Sequence, residues 1–376
     1  MGRWRLARRS SIRRCLREFP LEVFEMSRSD QAAVVPAPSS LKISAIEQRG
    51  FFRSSRVMAS TLHAGSSFSD KMSIEKSKSA IVSVEWLHQN LNLPHVKVLD
   101  ASWYMPAEQR NPLEEFKKCR IPGALFFDID GIVDDKVDLP HMLPVETAFA
   151  AALSALDLQN TDTIVAYDGK GIFSSARVWW MFRVFGHKNV YVLDGGLPKW
   201  LASSYPVDSS VPAGALSKIE ASVAAVRKPQ AGVGGFKTSF QQSLVWSLEQ
   251  VKKNVEERTF QHIDARSKPR FYGAASEPRK GIRAGHVPGS KCIPFTEVLN
   301  QEGMLLPINA LQKTFEDAGL NLEVPVVASC GTGVTACILA LALYQLGVAN
   351  VPVYDGSWTE WGGLPDSEVA VATSSA

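Results

Sequence analysis

The 376-residue chain reads as an α/β protein of two tandem domains, each a parallel sheet flanked by helices. Three observations predict this. Residues 80–201 are echoed by residues 244–361, short apolar strands alternate with helical stretches in both copies, and a segment of little pattern lies between them.

Four matches in the same order carry the repeat. Val98-Leu99-Asp100-Ala101-Ser102 pairs with His262-Ile263-Asp264-Ala265-Arg266, and Ile121-Pro122-Gly123-Ala124 with Val287-Pro288-Gly289-Ser290. Val165-Ala166-Tyr167-Asp168-Gly169 pairs with Val327-Ala328-Ser329-Cys330-Gly331, and Val192-Leu193-Asp194-Gly195 with Val353-Tyr354-Asp355-Gly356. The offsets of 164, 166, 162 and 161 residues are nearly constant, and two copies this long imply a duplicated domain, not a solenoid. The buried-strand candidates are Lys97–Leu99, Thr163–Tyr167 and Val190–Leu193, then Phe260–Ile263, Val324–Ser329 and Val351–Tyr354. Ser174–Phe185 and Gly333–Leu346 have helical spacing and length. Strand, helix, strand in this rhythm predicts parallel sheets. The expected division is a leader and disordered segment over 1–78, a first domain over 79–201, a linker over 202–243 and a second domain over 244–376.

Charge is unevenly placed. Residues 1–57 carry a net +7, which leaves −4 for the rest of a chain whose total is +3. A body of that sign gives no reason to expect nucleic acid as a partner, and no apolar run reaches the length of a membrane span. In the first 19 residues Arg3, Arg5, Arg8, Arg9, Arg13, Arg14 and Arg17 alternate with Trp4, Leu6, Ile12 and Leu16. That is the pattern of a basic amphipathic leader addressed to mitochondria. An internal start at Met58 or Met72 would give a cytosolic form. The five cysteines, Cys15, Cys119, Cys292, Cys330 and Cys337, show no repeated spacing, so neither a disulfide framework nor a zinc site is expected, and the expected compartment is reducing.

The chemistry concentrates at Cys330. An apolar strand ends at Ser329 and a helix begins within a few residues. In parallel α/β sheets, ligands bind at the carboxyl ends of strands. Gly331 and Gly333 let backbone N–H groups turn inward as an anion-binding nest, and the helix N-terminus adds partial positive charge. A thiol placed there is expected to have a depressed pKa. The matching residue of the first copy is Asp168, which cannot replace a thiolate nucleophile, so that copy is expected to be inactive. A cysteine phosphatase needs an Arg six residues after its nucleophile, and Ala336 stands there. Sulfur transfer needs only a polarisable thiolate able to become a persulfide, and the missing Arg favours it. A sensing module whose cysteine oxidises without turnover is the non-catalytic alternative.

With LDASWY, IPGALFFDID, HMLP, RVWWMFRVFGH, EPRKGI, GHVPGS, CGTGVTA and YDGSW, the chain resembles the tandem-domain rhodanese-type sulfurtransferases over about residues 80–362. Within that family it is most similar to the type that uses 3-mercaptopyruvate, whose loop reads CGSGVTA; here Thr332 stands for the Ser. The resemblance implies two rhodanese-like α/β domains with the nucleophile, Cys330, in the second. It implies a cradle of Gly331, Thr332, Gly333, Val334 and Thr335, and a grip on the substrate carboxylate by Arg270 and Arg279. It also implies that Asp130 and His141 of the first domain pair with the Thr332 hydroxyl for proton handling. Thiosulfate-preferring relatives carry CRKGVTA, with basic residues where Gly331 and Thr332 are uncharged, so thiosulfate is expected to be the weaker donor. Expected acceptors are cyanide, a thiol or thioredoxin; pyruvate is the product, and no metal or organic cofactor is required. Arg266 is expected to be structural beside Asp264, Phe271 and Trp358 are pocket candidates, and Cys337 is either a resolving thiol or a buried helix residue.

Overall fold

The computed structural model describes residue 15, residues 79–229 and residues 235–371. The leader and the stretch expected to be disordered, 1–78, lie outside these residues apart from Cys15. In the first copy β1 (Ile81–Val82), β2 (Val96–Asp100), β3 (Leu125–Phe126), β4 (Thr163–Tyr167) and β5 (Val190–Leu193) form one parallel sheet in the order β1-β5-β4-β2-β3. In the second, β6 (Val245–Trp246), β7 (Gln261–Asp264), β8 (Lys291–Cys292), β9 (Val326–Ser329) and β10 (Val353–Tyr354) repeat that order as β6-β10-β9-β7-β8. The duplicated sequence has therefore produced a duplicated topology. All six strand candidates are present. The edge strands β1, β3, β6 and β8 are missing from the sequence reading because two residues are too few to show a period.

The register places the chemistry-bearing loops. Asp100 pairs with Tyr167 at the end of β2 and β4, and Asp264 pairs with Ser329 at the end of β7 and β9. The loops leaving β4 at Asp168 and β9 at Cys330 thus emerge at equivalent sheet edges. Each copy also starts its first helix on a serine cap. The Ser83 Oγ accepts the Trp86 N–H ahead of the helix Val84–Asn90, and Ser247 forms a capping box with Gln250 ahead of Leu248–Glu257.

Two helices that follow these loops, Ser175–Val184 and Ala336–Gln345, face each other across the copies, with the Trp179 and Tyr344 rings in edge contact at 5.5 Å. Both are buried nearly all round, which is what an apolar sequence such as ACILALAL requires when the sheet lies on one side and the partner copy on the other. The seam continues through stacked or tilted Phe173 and Phe295 rings, the Asp194 carboxylate accepting the Leu305 N–H, and the Lys199–Glu302 ion pair.

Two findings depart from expectation. Residues 202–243, expected to be a linker, contain a 15-residue helix, Ala213–Arg227, which buries Ile219, Ser222 and Val226 against Glu146–Ala155. Its alanines favour helix strongly but give little hydrophobic contrast, so the pattern was faint. Cys15 and Cys119 form a disulfide with a Cα separation of 5.6 Å, where none was expected; a pairing 104 residues apart leaves no spacing signal.

Gly171 marks how closely the copies meet. Its φ is +109°, and a Cβ there would lie 2.8 Å from both the Cα and the carbonyl oxygen of Gly303 in the second copy. Gly171→Ala is expected to cost about 2 kcal/mol by overpacking this seam. Urea unfolding of the two proteins checks it, and equal midpoints and slopes would show that the seam yields freely.

Candidate active site

Cys330 is the first residue after β9 and is 2% exposed. Its loop is held from outside by one short segment. The Ser357 Oγ accepts the Cys330 N–H at 3.1 Å, the Trp358 N–H donates to the Cys330 carbonyl at 2.9 Å, and the Thr359 N–H and hydroxyl both donate to the Gly331 carbonyl at 2.9 and 2.7 Å. With these carbonyls drawn outward, the N–H groups of Gly331 through Ala336 find no acceptor among the described residues.

The first copy shows what such a loop holds. The buried Asp168 carboxylate accepts the N–H groups of Lys170, Phe173, Ser174 and Ser175 at 2.8–3.0 Å and the Ser175 hydroxyl at 2.6 Å. An anion therefore fills the first nest from within, while the corresponding nest around Cys330 is open. Val334 is buried, and Thr335 stands at the N-cap position of the following helix without a side-chain capping bond, so both belong to the loop wall.

The first copy contributes a second group of residues to the same place. The His141 Nδ1 lies 3.3 Å from the Thr332 Oγ1, and its Nε2 lies 2.9 Å from an Asp130 oxygen. The other Asp130 oxygen accepts the Trp103 indole N–H at 3.0 Å, and the Trp103 ring meets the imidazole edge-on at 4.8 Å. With Nε2–H given to Asp130, Nδ1 is left as acceptor for the Thr332 hydroxyl. Burial, reinforced by the Arg177 and Arg279 charges, pushes the His141 pKa down to about 3. Asp130 is 63% exposed, so water screens its pull on the imidazole and the buried guanidinium prevails. His141 is thus a neutral acceptor in the resting site.

The arginines divide. Arg270 lies beside the loop, its Nη2 3.1 Å from where a Gly331 Cβ would be, and both its Nε and Nη2 are taken by the buried carboxylate of Glu277. Glu277 also accepts from Arg266 at 2.8 Å, and Arg266 is locked to Asp264 and the Gly285 carbonyl. Half-buried Arg279 has no hydrogen-bond acceptor among the described residues; burial lowers its pKa, and the Asp130 carboxylate opposes that. Phe271 and Trp358 are both buried: Phe271 stacks on His286 at 3.7 Å, and Trp358 lies under Arg266. Cys337 is fully buried, gives its S–H to the Gly333 carbonyl at 3.2 Å, and has its pKa raised far above the ordinary thiol by burial, so it is the helix residue and not a ready thiolate.

Sequence reasoning missed Trp103, Arg177, Glu277, Asp355, Ser357 and Thr359, and gave Trp358 only as a pocket candidate. All of these but Thr359 did stand inside quoted motifs, but a motif does not say which carbonyl a hydroxyl will meet. Arg177 sat in an apolar helix that also carries Arg183, and a charge in such a helix was the available signal.

A model of the rhodanese-like domain matches residues 83–203 and again residues 247–364. Thiosulfate/3-mercaptopyruvate sulfurtransferase 1, mitochondrial, of Arabidopsis thaliana is 57% identical over 327 residues, which is 85% of each chain. The 3-mercaptopyruvate sulfurtransferase of Rattus norvegicus is 41% identical over 288 residues, covering 75% of this chain and 91% of the rat protein. Among solved structures, Tum1 of Saccharomyces cerevisiae superposes with a TM-score of 0.66 at 33% identity, over 78% of this chain and 98% of that one.

The depressed His141 pKa has a consequence for stability. The unfolded imidazole takes its proton near 6.5, and the folded one only near 3. The unfolded state therefore binds more protons between these values, and the fold weakens as pH falls through that window. His141→Gln is expected to lose less stability than the wild type between pH 7 and pH 4 (roughly the upper part of that window) in urea unfolding. Parallel losses in the two proteins would show that His141 does not titrate this way.

Proposed function

The chain belongs to the rhodanese-like domain family, carrying the domain twice, and is a sulfurtransferase working through a cysteine persulfide; from that premise we propose that Cys330 carries the sulfur, with 3-mercaptopyruvate as the preferred donor and thiosulfate as a weaker one. The observation that carries this reading is the open nest around Cys330, set beside the same nest closed by Asp168. Its substrates are a small-molecule sulfur donor and a sulfur acceptor.

In the proposed turnover the Cys330 thiolate attacks the sulfur of mercaptopyruvate, forming the S–S bond. The C–S bond breaks, and its electron pair leaves on carbon as the enolate of pyruvate, which is then protonated. Backbone N–H groups of residues 331–336 stabilise negative charge on the outer sulfur. Cyanide, a thiol or thioredoxin then takes that sulfur, and the Cys330 thiolate leaves as the S–S bond breaks, giving double displacement with a covalent intermediate. Arg279, with no acceptor among the described residues, is the principal grip on the donor carboxylate, and Arg270 assists within the hold of Glu277. Uncharged Gly331 and Thr332 favour a monoanionic donor over dianionic thiosulfate. His141 and Asp130 fix the Thr332 hydroxyl over the reacting sulfur and relay a proton through it.

The sulfur chemistry is assigned to the domain from residue 244 onward, with 79–201 as an inactive domain that completes the site and 1–78 as a leader. The Arg-rich N-terminus and a mitochondrial relative support a mitochondrial location, with a cytosolic form from an internal start.

Thiocyanate formation from each donor tests the reading. Mercaptopyruvate is expected to give the higher kcat/KM, and Cys330→Ser to give none with either donor. Residual turnover by the Ser variant would remove Cys330 from its role, and a thiosulfate preference would overturn the reading of the loop and the arginines. Arg279→Met is expected to lose a charge-assisted hydrogen bond of about 1.5–3 kcal/mol, raising KM for mercaptopyruvate roughly 10- to 100-fold. An unchanged KM would assign the grip elsewhere.

A further inference from the structure

We propose that Arg177, a residue of the first copy, is the positioning residue of the sulfur-transfer loop in the second copy. The inference rests on the assignment of sulfur transfer to the Cys330 loop, and it concerns what holds that loop in place.

Arg177 lies on the helix Ser175–Val184, and none of its side chain is exposed. Its Nη1 pairs with Asp355 Oδ1 at 2.7 Å and donates to the Gly333 carbonyl at 3.3 Å. Its Nη2 donates to the His141 carbonyl. The guanidinium plane lies over the Trp180 ring at 4.5 Å. The second Asp355 oxygen accepts the Leu143 N–H at 2.8 Å, two residues beyond His141. One ion pair therefore grips the His141 loop on both sides and the cysteine loop at Gly333.

The backbone at both grips is unusual. His141 has φ +64° and Gly333 has φ +76°, both in the left-handed region. A Cβ at residue 333 would lie 2.8 Å from the Asp355 carbonyl and 3.0 Å from the Arg177 Nη1, so the cysteine loop rests directly on the pair. Thr332 immediately precedes Gly333, and its hydroxyl contacts the His141 ring. Both ends of that cross-domain contact are thus set from behind by the same guanidinium. A buried ion pair is weak evidence for stability, since apolar residues can fill such a space. What this pair offers is register between two loops from different copies. Only a planar fork with several donors reaches a carboxylate and two carbonyls at once, whereas an ammonium is a single point.

Arg177→Lys separates the two roles. Its ammonium keeps a charge for Asp355 but cannot also hold the carbonyls of His141 and Gly333. Single-turnover persulfide formation and steady-state transfer to cyanide would be measured with mercaptopyruvate and with thiosulfate, beside thermal unfolding. The expected result is a fall in the persulfide-forming rate and in kcat of about 100-fold with both donors, from misplacement of reacting groups, at a nearly unchanged KM and with a melting point within a few degrees of wild type. A Lys variant as active as wild type overturns the proposal. So does a loss of activity that only follows the fraction unfolded. Amide hydrogen exchange of both proteins supplies a readout that needs no sulfur donor. Faster exchange confined to the bonded N–H groups of Leu143, Cys330, Cys337, Trp358 and Thr359 in the variant is expected, and unchanged exchange there overturns the positioning role. If the wild type transfers no sulfur from either donor, the functional assignment of Cys330 fails, and the exchange result still decides whether Arg177 holds the loop.

Discussion

A chain that leaves a parallel strand and enters a helix at once leaves a row of backbone N–H groups with nothing to bind. Both copies of this protein contain that turn, and the rest of the structure depends on how each one answers it. In the first, the Asp168 carboxylate folds back and takes four N–H groups, so the nest is closed and the loop becomes scaffold. In the second, Cys330 stands at the corresponding place, and the N–H groups of residues 331–336 stay unmatched among the described residues. A group that gains negative charge on sulfur fits that vacancy, which is why the proposed chemistry belongs to the second copy.

On the proposed reading the first copy carries no sulfur itself, and its place beside the second is explained by what it supplies. Asp130, His141, Trp103 and Arg177 all come from the first copy, and all converge on the loop of the second. The two face-to-face helices and the close Gly171–Gly303 approach leave little room to slide, so loops from different domains can meet at hydrogen-bond distance. Neither domain alone would contain the arrangement.

The site is also a balance of fixed charges. Arg266 is neutralised by Asp264, Arg270 by Glu277, and Arg177 by Asp355, while Arg279 alone of these four has no acceptor among the described residues. Burial and this surplus of positive charge keep His141 neutral. A neutral imidazole with one nitrogen committed to Asp130 can only accept from Thr332, so the electrostatics select a tautomer as well as a charge state.

Much of this was legible in the sequence. The repeat offsets, the strand at Thr163–Tyr167 and the cysteine between an apolar strand and a helix are local features, and a local pattern survives in one dimension. The grouping of Asp130, His141 and Thr332 was available only through resemblance to a family, since nothing in HMLP by itself distinguishes a site histidine from a loop histidine. The Cys15–Cys119 pairing, the helix in the expected linker, the capture of Arg270 by Glu277 and the reach of Arg177 to Gly333 and Asp355 were not legible at all. The sequence alone determined the duplicated α/β architecture and the setting of Cys330 between an apolar strand and a helix, because both follow from neighbouring residues and their period. Only the tertiary structure decided which charges are paired, which are left open and which loops meet, because those depend on distances between residues far apart along the chain and on the burial that makes an unpaired charge costly.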